Sequence, residues 1–211
     1  MFLNAHTHHP KDKFHEVYNH ALGDELHPWY SVGIHPWDSC NSLNSMPLIE
    51  NLLQLKGCVA IGETGLDRLR GPELHEQMTV FQQHVELSEK YQLPIIIHCV
   101  RCWNELKSIR HIVQPKQKWV YHGASKASVM EDIIREGLTV SIGADILTNE
   151  TLQAKIKIVP IDKILIETDD SNIAIELIYT KIAEIFGISS ETLQAQIEQN
   201  FKRIFTKWNN G

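Results

Sequence analysis

Histidine and carboxylate side chains stand at the ends of separate apolar runs, and this arrangement constrains the fold more than any other feature. Each run is short and rich in β-branched or other apolar residues, which is typical of a buried strand. A polar or charged group at the end of a buried strand is costly unless it has a partner. One shared metal centre would satisfy all six of them, which are His6, His8, Glu63, His98, His122 and Asp169.

From about residue 57 onward, β-rich runs alternate with amphipathic helical patterns, which is typical of a parallel α/β fold. In such folds functional residues gather at the carboxyl ends of the strands. No linker, repeat or low-complexity tract interrupts the chain, so we expect residues 1–211 to form a single domain. Strands are predicted near residues 2–6, 30–35, 58–63, 94–98, 118–122, 138–142 and 164–168.

The segment 14–22 departs from this alternation. It could form another strand, but only about eight residues separate it from its neighbours on either side. Parallel neighbours ordinarily need a crossover of about a dozen residues or more. We therefore expect this strand to run antiparallel, with a position outside the wall of the sheet as the alternative. The first quarter of the fold should then lack one or two covering helices.

The composition excludes several classes of protein. A net charge of −6 argues against a strongly basic nucleic-acid-binding surface, although bound divalent ions would reverse the charge locally. No apolar stretch approaches the ~20 residues of a membrane span, and the first predicted strand leaves no room for a signal peptide, so we expect a cytoplasmic protein. The four cysteines, including the C-x-x-C pair Cys99 and Cys102, fit reduced thiols.

The types of side chain indicate which ions would bind. His6 and His8 form an H-x-H pair whose side chains should point to the same face of an extended strand. Imidazole and carboxylate ligands together suit Zn²⁺, Mn²⁺, Fe²⁺ or Ni²⁺, and six ligands exceed the three or four that one zinc ion takes. We expect two divalent ions about 3.5–4 Å apart, bridged by a carboxylate and a water that becomes the nucleophile. Zn²⁺, Mn²⁺, Mg²⁺ and Ni²⁺ are the candidates.

Other roles are open to the two acidic residues of this set. Glu63 could cap the turn that follows it, and Asp169 could stabilise the N-terminus of the next helix through the helix dipole.

Longer motifs surround the six residues: His6-Thr7-His8, Gly33-Ile34-His35-Pro36, Ile61-Gly62-Glu63-Thr64-Gly65-Leu66-Asp67, Leu93 to His98 followed by Arg101, Ile166-Glu167-Thr168-Asp169, and Asn200 to Phe205. In order and spacing the chain resembles the TatD family of metal-dependent hydrolases, among the amidohydrolase-like TIM barrels. The resemblance implies a distorted TIM (β/α) barrel with a shortened N-terminal quarter.

The resemblance also implies a ligand set and an activity. By motif position His6, His8, Glu63 and Asp169 would hold one ion, while Glu63, His98 and His122 would hold the second, with Glu63 as the bridge. Asp169 and Glu63 are then the predicted catalytic residues, with Asp169 as the general base. Members of the family are commonly deoxyribonucleases, so the predicted reaction is phosphodiester hydrolysis on a DNA end or a small phosphoester.

Some positions depart from the family pattern. Pro10 stands where an acidic residue is usual, and Asp170-Ser171-Asn172 follows Asp169 in place of the usual small residue and proline. The segment before Gly33 is also shorter than usual. These changes concern the substrate-facing loops rather than the metal ligands.

Two residues are predicted to contact substrate. Arg101 could bind a phosphate through its guanidinium group, with a surface or helix-start salt bridge as the alternative. His35 could hydrogen-bond a phosphate or the leaving group, or it could only fix its turn. Asp67 could orient a ligand histidine.

Two further functions stay open at this stage. The chain could be an amidohydrolase-like enzyme that cleaves a small ester, lactone or amide. It could also be a metal-binding relative that has lost catalysis.

Overall fold

A computed structural model of the protein describes residues 1–11, 15–125 and 127–208. In this part of the chain, eight parallel strands follow one another around a nearly closed barrel, each paired with the next in sequence order. This confirms the predicted α/β barrel. The strands are β1 (Asn4–Thr7), β2 (Glu16–Asn19), β3 (Tyr30–Val32), β4 (Cys58–Asp67), β5 (Ile95–Val100), β6 (Trp119–Tyr121), β7 (Thr139–Ile142) and β8 (Ile164–Ile166).

Helices follow β3 and every later strand, and they bury their apolar faces against the barrel. The last helix begins at an N-cap, because the Ser189 hydroxyl accepts a hydrogen bond from the Thr192 amide at 3.2 Å. Its Leu193, Ile197 and Phe201 are fully buried. Within the described residues the α-helices are α1 (Ser42–Leu53), α2 (Leu74–Tyr91), α3 (Trp103–Val113), α4 (Ala127–Arg135), α5 (Glu150–Lys155), α6 (Ile175–Phe186) and α7 (Ser190–Ile204).

The segment 14–22 does contain a strand, but the predicted antiparallel direction was wrong. β2 pairs in parallel with both β1 and β3, with Tyr18 opposite Thr7 on one side and opposite Tyr30 on the other. The connections comprise residues 8–15 and 20–29. Eight extended residues reach about 26 Å, whereas a strand of four residues is only about 13 Å long. Because the strands are so short, the chain returns to the start of the barrel without a full crossover.

The predicted loss of helices from the first quarter is confirmed for the described residues. Neither residues 8–11 and 15 nor residues 20–29 contain a helix. In the part of the chain that the structure describes, the first covering helix is α1, after β3.

Buried side chains from the strands and helices form one apolar cluster. Cys40, Cys58, Cys99 and Cys102 all carry free thiols, as the composition predicts. No helix in the described ranges is long and apolar enough to cross a membrane.

One buried histidine has a structural role that makes stability depend on pH. His84 of α2 is fully buried, and its Nε2 accepts from the Ile34 amide at 3.0 Å. Its Nδ1 lies 2.8 Å from the Val80 carbonyl oxygen, to which it donates. Burial lowers the pKa of His84 from 6.5 to about 4, because a charged ring would lose its hydration in the core. A second ring proton would also face the Ile34 N–H.

We predict that this histidine makes the protein less stable in acid. Below pH 6.5 the unfolded chain binds a proton at His84 that the folded chain does not bind until about pH 4. The free energy of unfolding should therefore fall through this range, by about 3 kcal/mol in total. His84→Gln keeps an acceptor for Ile34 but cannot titrate.

Urea unfolding of the two proteins in a chelating buffer at pH 7, 5.5 and 4.5 measures the difference. Subtracting the variant from the wild type cancels the other titrating groups. Parallel stability curves for the two proteins would contradict this role.

Candidate metal centre

All six side chains predicted from the sequence meet at the carboxyl end of the barrel. His6 lies in β1, Glu63 in β4 and His98 in β5, and the other three follow a strand closely. With the exception of the fully buried His6, they line one cavity of about 690 Å³.

The seam that closes the barrel positions three of these residues. The Asp169 amide donates to the His6 carbonyl oxygen at 3.0 Å, and the His8 amide donates to the Asp169 carbonyl oxygen at 3.0 Å. Thr7 and Asp169 thereby form a parallel bridge beyond the end of β8. The hydrogen bonds that join the first and last strands therefore also set the spacing of these three side chains.

The first donor group has the spacing of a metal site. His6 Nε2 lies 3.6 Å from Glu63 Oε2 and 3.5 Å from Asp169 Oδ1. His8 Nε2 lies 3.4 Å and 3.5 Å from the same two oxygen atoms. Donors about 2.1 Å from a tetrahedral ion are about 3.4 Å from one another. Two imidazole nitrogens and two carboxylate oxygens at these distances could hold one divalent ion.

The second donor group surrounds the other oxygen of the same carboxylate. Glu63 Oε1 lies 2.5 Å from His98 Nδ1 and 2.6 Å from His122 Nε2. Glu63 is therefore shared, because Oε2 faces His6 and His8 whereas Oε1 faces His98 and His122. A carboxylate with one oxygen toward each donor group is suited to bridge two ions.

The electrostatics of the site also fit a cation. Burial by itself would raise the pKa of Glu63, but His122, His35 and His6 hold it well below its usual range. Burial would lower the pKa of His6, but Asp169 and Glu63 raise it to about 9. Without an ion, protons on imidazoles balance the carboxylates. A divalent ion would displace those protons and supply the same charge.

Hydrogen bonding in the site leads to the same conclusion. Among the described residues, neither ring nitrogen of His6 has a well-aligned hydrogen-bond partner, although both nitrogens are buried. A buried nitrogen without a partner costs free energy, and a metal ion would use the lone pair of Nε2.

Two further carboxylates support the histidines of the second group. Asp67 Oδ2 lies 3.4 Å from His98 Nε2 and accepts from the Trp37 indole at 2.7 Å. This fits the orienting role predicted for Asp67. Glu167 Oε1 lies 3.4 Å from His122 Nδ1 and accepts from the Gly123 amide at 2.7 Å. Such carboxylates fix the ring tautomer and raise the basicity of a ligand histidine.

Glu167 received no role from the sequence. One signal was present, because Glu167 precedes Asp169 by two positions, and residues two apart on a strand share a face. Its side chain is fully buried, so two carboxylates project into the barrel from the end of β8.

His35 lies beside the second group, but its hydrogen bonding argues against a role as ligand. Its Nε2 is 3.3 Å from His98 Nδ1 and 3.6 Å from Glu63 Oε1. The Trp37 amide donates to His35 Nδ1 at 3.3 Å. A neutral imidazole that accepts at one nitrogen carries its proton on the other, so Nε2 presents an N–H to the cavity. The geometry favours a hydrogen-bond donor.

Arg101 does not line the cavity of the six residues. It lines a second cavity of about 460 Å³ that includes Cys99 and Gly123, the residues that follow His98 and His122. The two side chains that were predicted to contact substrate therefore lie in different cavities: His35 lines the metal cavity, and Arg101 lines the second cavity.

Comparison with known proteins agrees with this architecture. The sequence model of the family described as TatD related DNase matches residues 3–206. The chain is similar to the 3'-5' ssDNA/RNA exonuclease TatD of Pantoea sp. (strain At-9b), with 26% identity over 208 residues, covering 86% of this chain and 80% of the relative. It is also similar to tatdn3 of Danio rerio, with 29% identity over 167 residues and 71% of this chain. That match spans only 62% of the length of the Danio rerio protein.

Solved structures show the same fold. The TatD homologue YjjV of Escherichia coli K12 superimposes with a TM-score of 0.75 at 21% identity, covering 84% of this chain and 76% of that chain. A hydrolase of the TatD family from Entamoeba histolytica gives a TM-score of 0.73 at 21% identity, covering 85% of this chain and 75% of that chain.

We predict that Glu167→Gln weakens the binding of one ion. Gln can still accept from the Gly123 amide, but it cannot stabilise the charge on a metal-bound His122. Loss of such a carboxylate typically lowers metal affinity about 10-fold to 100-fold. Calorimetric titration of metal-free protein with Zn²⁺ or Mn²⁺ should show this loss in one of two binding steps.

The matched control is Glu136→Gln, which breaks the Glu136–His111 pair outside the barrel. The control should bind both ions like the wild type. Equal affinities in all three proteins would contradict the role of Glu167.

Proposed function

The chain belongs to the family of TatD related DNases, and on this premise we propose that it is a divalent-metal-dependent phosphodiesterase that acts on the end of a nucleic acid strand. The observation that carries the proposal is the Glu63 carboxylate, whose two oxygens face two separate groups of imidazoles within 3.6 Å. A shared carboxylate of this kind suits phosphodiester hydrolysis, in which two positions of charge develop on either side of phosphorus.

The residues divide into two binding groups. His6, His8, Asp169 and Glu63 would hold one ion, and Glu63, His98 and His122 would hold the other. When bound, the ions acidify a water molecule and stabilise the charge that develops on the phosphoryl oxygens. Asp67 and Glu167 orient the imidazoles of His98 and His122.

Asp169 is the residue best placed to take a proton. Burial would raise its pKa, but His6 and His122 lower it, so the side chain is a carboxylate at neutral pH. It is 39% exposed toward the cavity, whereas Glu63 is enclosed by imidazoles. As the oxygen of water forms its bond to phosphorus, Asp169 accepts the proton that the water loses. The bond from phosphorus to the leaving oxygen breaks, and that oxygen takes a proton from solvent.

His35 would stabilise the reacting phosphate without transferring a proton. Because its Nδ1 accepts from the Trp37 amide, the neutral ring can donate a hydrogen bond from Nε2 to a phosphoryl oxygen. A hydrogen-bond donor aimed at the charge that develops on the phosphoryl oxygen stabilises the transition state more than the ground state.

Two observations support a strand end as substrate. The cavity of about 690 Å³ has the size of a small-molecule pocket, which suits a single terminal nucleoside. A relative is named as an exonuclease of single-stranded DNA and RNA.

We predict that Asp169→Asn abolishes most of the activity. The assay measures nucleotide release from a 3'-labelled single-stranded oligonucleotide by protein loaded with Mn²⁺, Mg²⁺ or Zn²⁺. Loss of a general base lowers kcat by about 10²-fold to 10⁴-fold. The matched control Asp162→Asn changes an exposed aspartate paired with Arg203 before β8, and it should leave kcat within about twofold, as a surface change remote from the site does.

Other outcomes would redirect the assignment. If folded, metal-loaded wild type leaves the oligonucleotide intact but hydrolyses a small ester, lactone or amide, the enzyme is a different kind of metal-dependent hydrolase. If it binds metal but turns over no phosphoester, ester, lactone or amide, it is a non-catalytic relative.

A further inference from the structure

The cavity that holds Arg101 adjoins the metal centre but differs from it in character. It lies between the loops that follow β5 and β6, and its lining includes Arg101, Trp103, Tyr121 and Ser125. Its volume is about 460 Å³. Cys99 and Gly123 line it, each one residue beyond a ligand histidine, so the cavity lies beside the ends of the two strands that carry His98 and His122. A strand end that leaves the metal centre between these two loops would pass Arg101.

Arg101 is available to a ligand. Within the described residues no carboxylate or carbonyl oxygen is paired with its guanidinium group, and the side chain is exposed. Its neighbours are already engaged, since Arg68 pairs with Glu105 at the start of α3. Arg68 Nε also donates to the Arg101 backbone oxygen at 3.1 Å, which holds the loop. An unpaired guanidinium at the edge of a cavity suits a phosphate.

The metal cavity, apart from its metal ligands, is lined by negative charge, whereas the second cavity contains the positive Arg101. The other charged lining residues of the metal cavity are Asp38 and Asp170, and none of its described lining residues is a lysine or arginine. Asp170 pairs with His9 at 2.8 Å, whereas Asp38 has no ion-pair partner among the described residues. Two bound ions would neutralise the scissile phosphate, but a second phosphate in this cavity would face carboxylates.

This asymmetry suggests how a strand end would bind, and the inference rests on the proposed function. We propose that the metal cavity binds the terminal nucleoside. The Arg101 cavity binds the nucleoside on the other side of the scissile phosphate, together with the next phosphate of the strand. Arg101 then binds the phosphate adjacent to the one that is cleaved. The protein would be specific for ends because the metal cavity disfavours a chain that continues through it.

Matched dinucleotides test the inference. The three substrates are the thymidine dinucleotide dTpdT and the same compound with one extra phosphate at its 5' end or at its 3' end. Metal-loaded wild type should cleave one phosphorylated form about threefold to tenfold faster than dTpdT, as expected for a partly exposed guanidinium–phosphate pair. It should cleave the other form more slowly than dTpdT. Chromatography of the products gives kcat/KM for each substrate.

Variants separate the two cavities. In Arg101→Ala, kcat/KM for the phosphorylated dinucleotide that wild type prefers should fall to about that for dTpdT. In Asp38→Asn, kcat/KM for the other phosphorylated dinucleotide should rise part of the way toward that for dTpdT. Arg203→Ala removes an exposed arginine near the end of α7, paired with Asp162, and should alter neither ratio of kcat/KM to that for dTpdT. The favourable ratio of wild type should also shrink when salt is raised, because exposed charges are screened. A structural role for Arg101 would not produce that salt dependence.

The outcomes distinguish the two levels of the proposal. Equal kcat/KM values for the three dinucleotides, or an unchanged ratio in Arg101→Ala, would overturn the inference and leave phosphodiester hydrolysis standing. Failure to cleave any dinucleotide or oligonucleotide would overturn the proposed function itself. Circular dichroism and metal titration of each variant show that fold and ions are retained.

Discussion

The buried carboxylate of Glu63 sets the demands that the surrounding structure meets. Glu63 is 4% exposed, and a buried anion is costly unless cations or donors compensate it. Imidazoles from four other strands or strand ends provide that compensation within 3.6 Å. Their convergence requires β4 and β5 to approach closely. Gly65 makes this possible, because a Cβ at that position would lie 2.0 Å from the His98 carbonyl oxygen.

The short N-terminal quarter affects the site as well as the fold. Residues 20–29, which join β2 to β3, contain no helix, and the first of them lie beside the metal centre. Asn19, the last residue of β2, accepts from the Glu63 amide at 2.7 Å, and His20 and Leu22 of the loop line the metal cavity. The reduction therefore replaces covering helices with residues that shape the cavity on the side of the terminal nucleoside in our proposal.

The pattern of the residues predicted a parallel α/β fold and the convergence of the six side chains, because each follows an apolar run and parallel strands end at one edge. The closed barrel was predicted by the resemblance to the TatD family. The pattern did not predict the direction of β2, since the usual length of a crossover holds for longer strands. Helical patterns were placed only after about residue 57, so α1 was not predicted, and it contains Pro47 in its interior, a residue that ordinarily argues against a helix. Glu167 was missed because its role depends on the ring of His122, which is distant in sequence. The placement of Arg101 in a separate cavity required the loop geometry.

The net charge of −6 is compatible with a nucleic acid substrate if recognition is local. Charges beyond about 8–10 Å are largely screened at physiological ionic strength, so the overall charge acts mainly on the rate of encounter. Within the site, the ions would meet the scissile phosphate, Arg101 would meet its neighbour, and Asp38 would oppose any further one. An acidic protein of this kind cannot hold a long strand by general attraction. Its selectivity would come from the sequence of charges that the strand meets: Arg101, then the ions, then Asp38. This sequence favours strand ends over continuous strands.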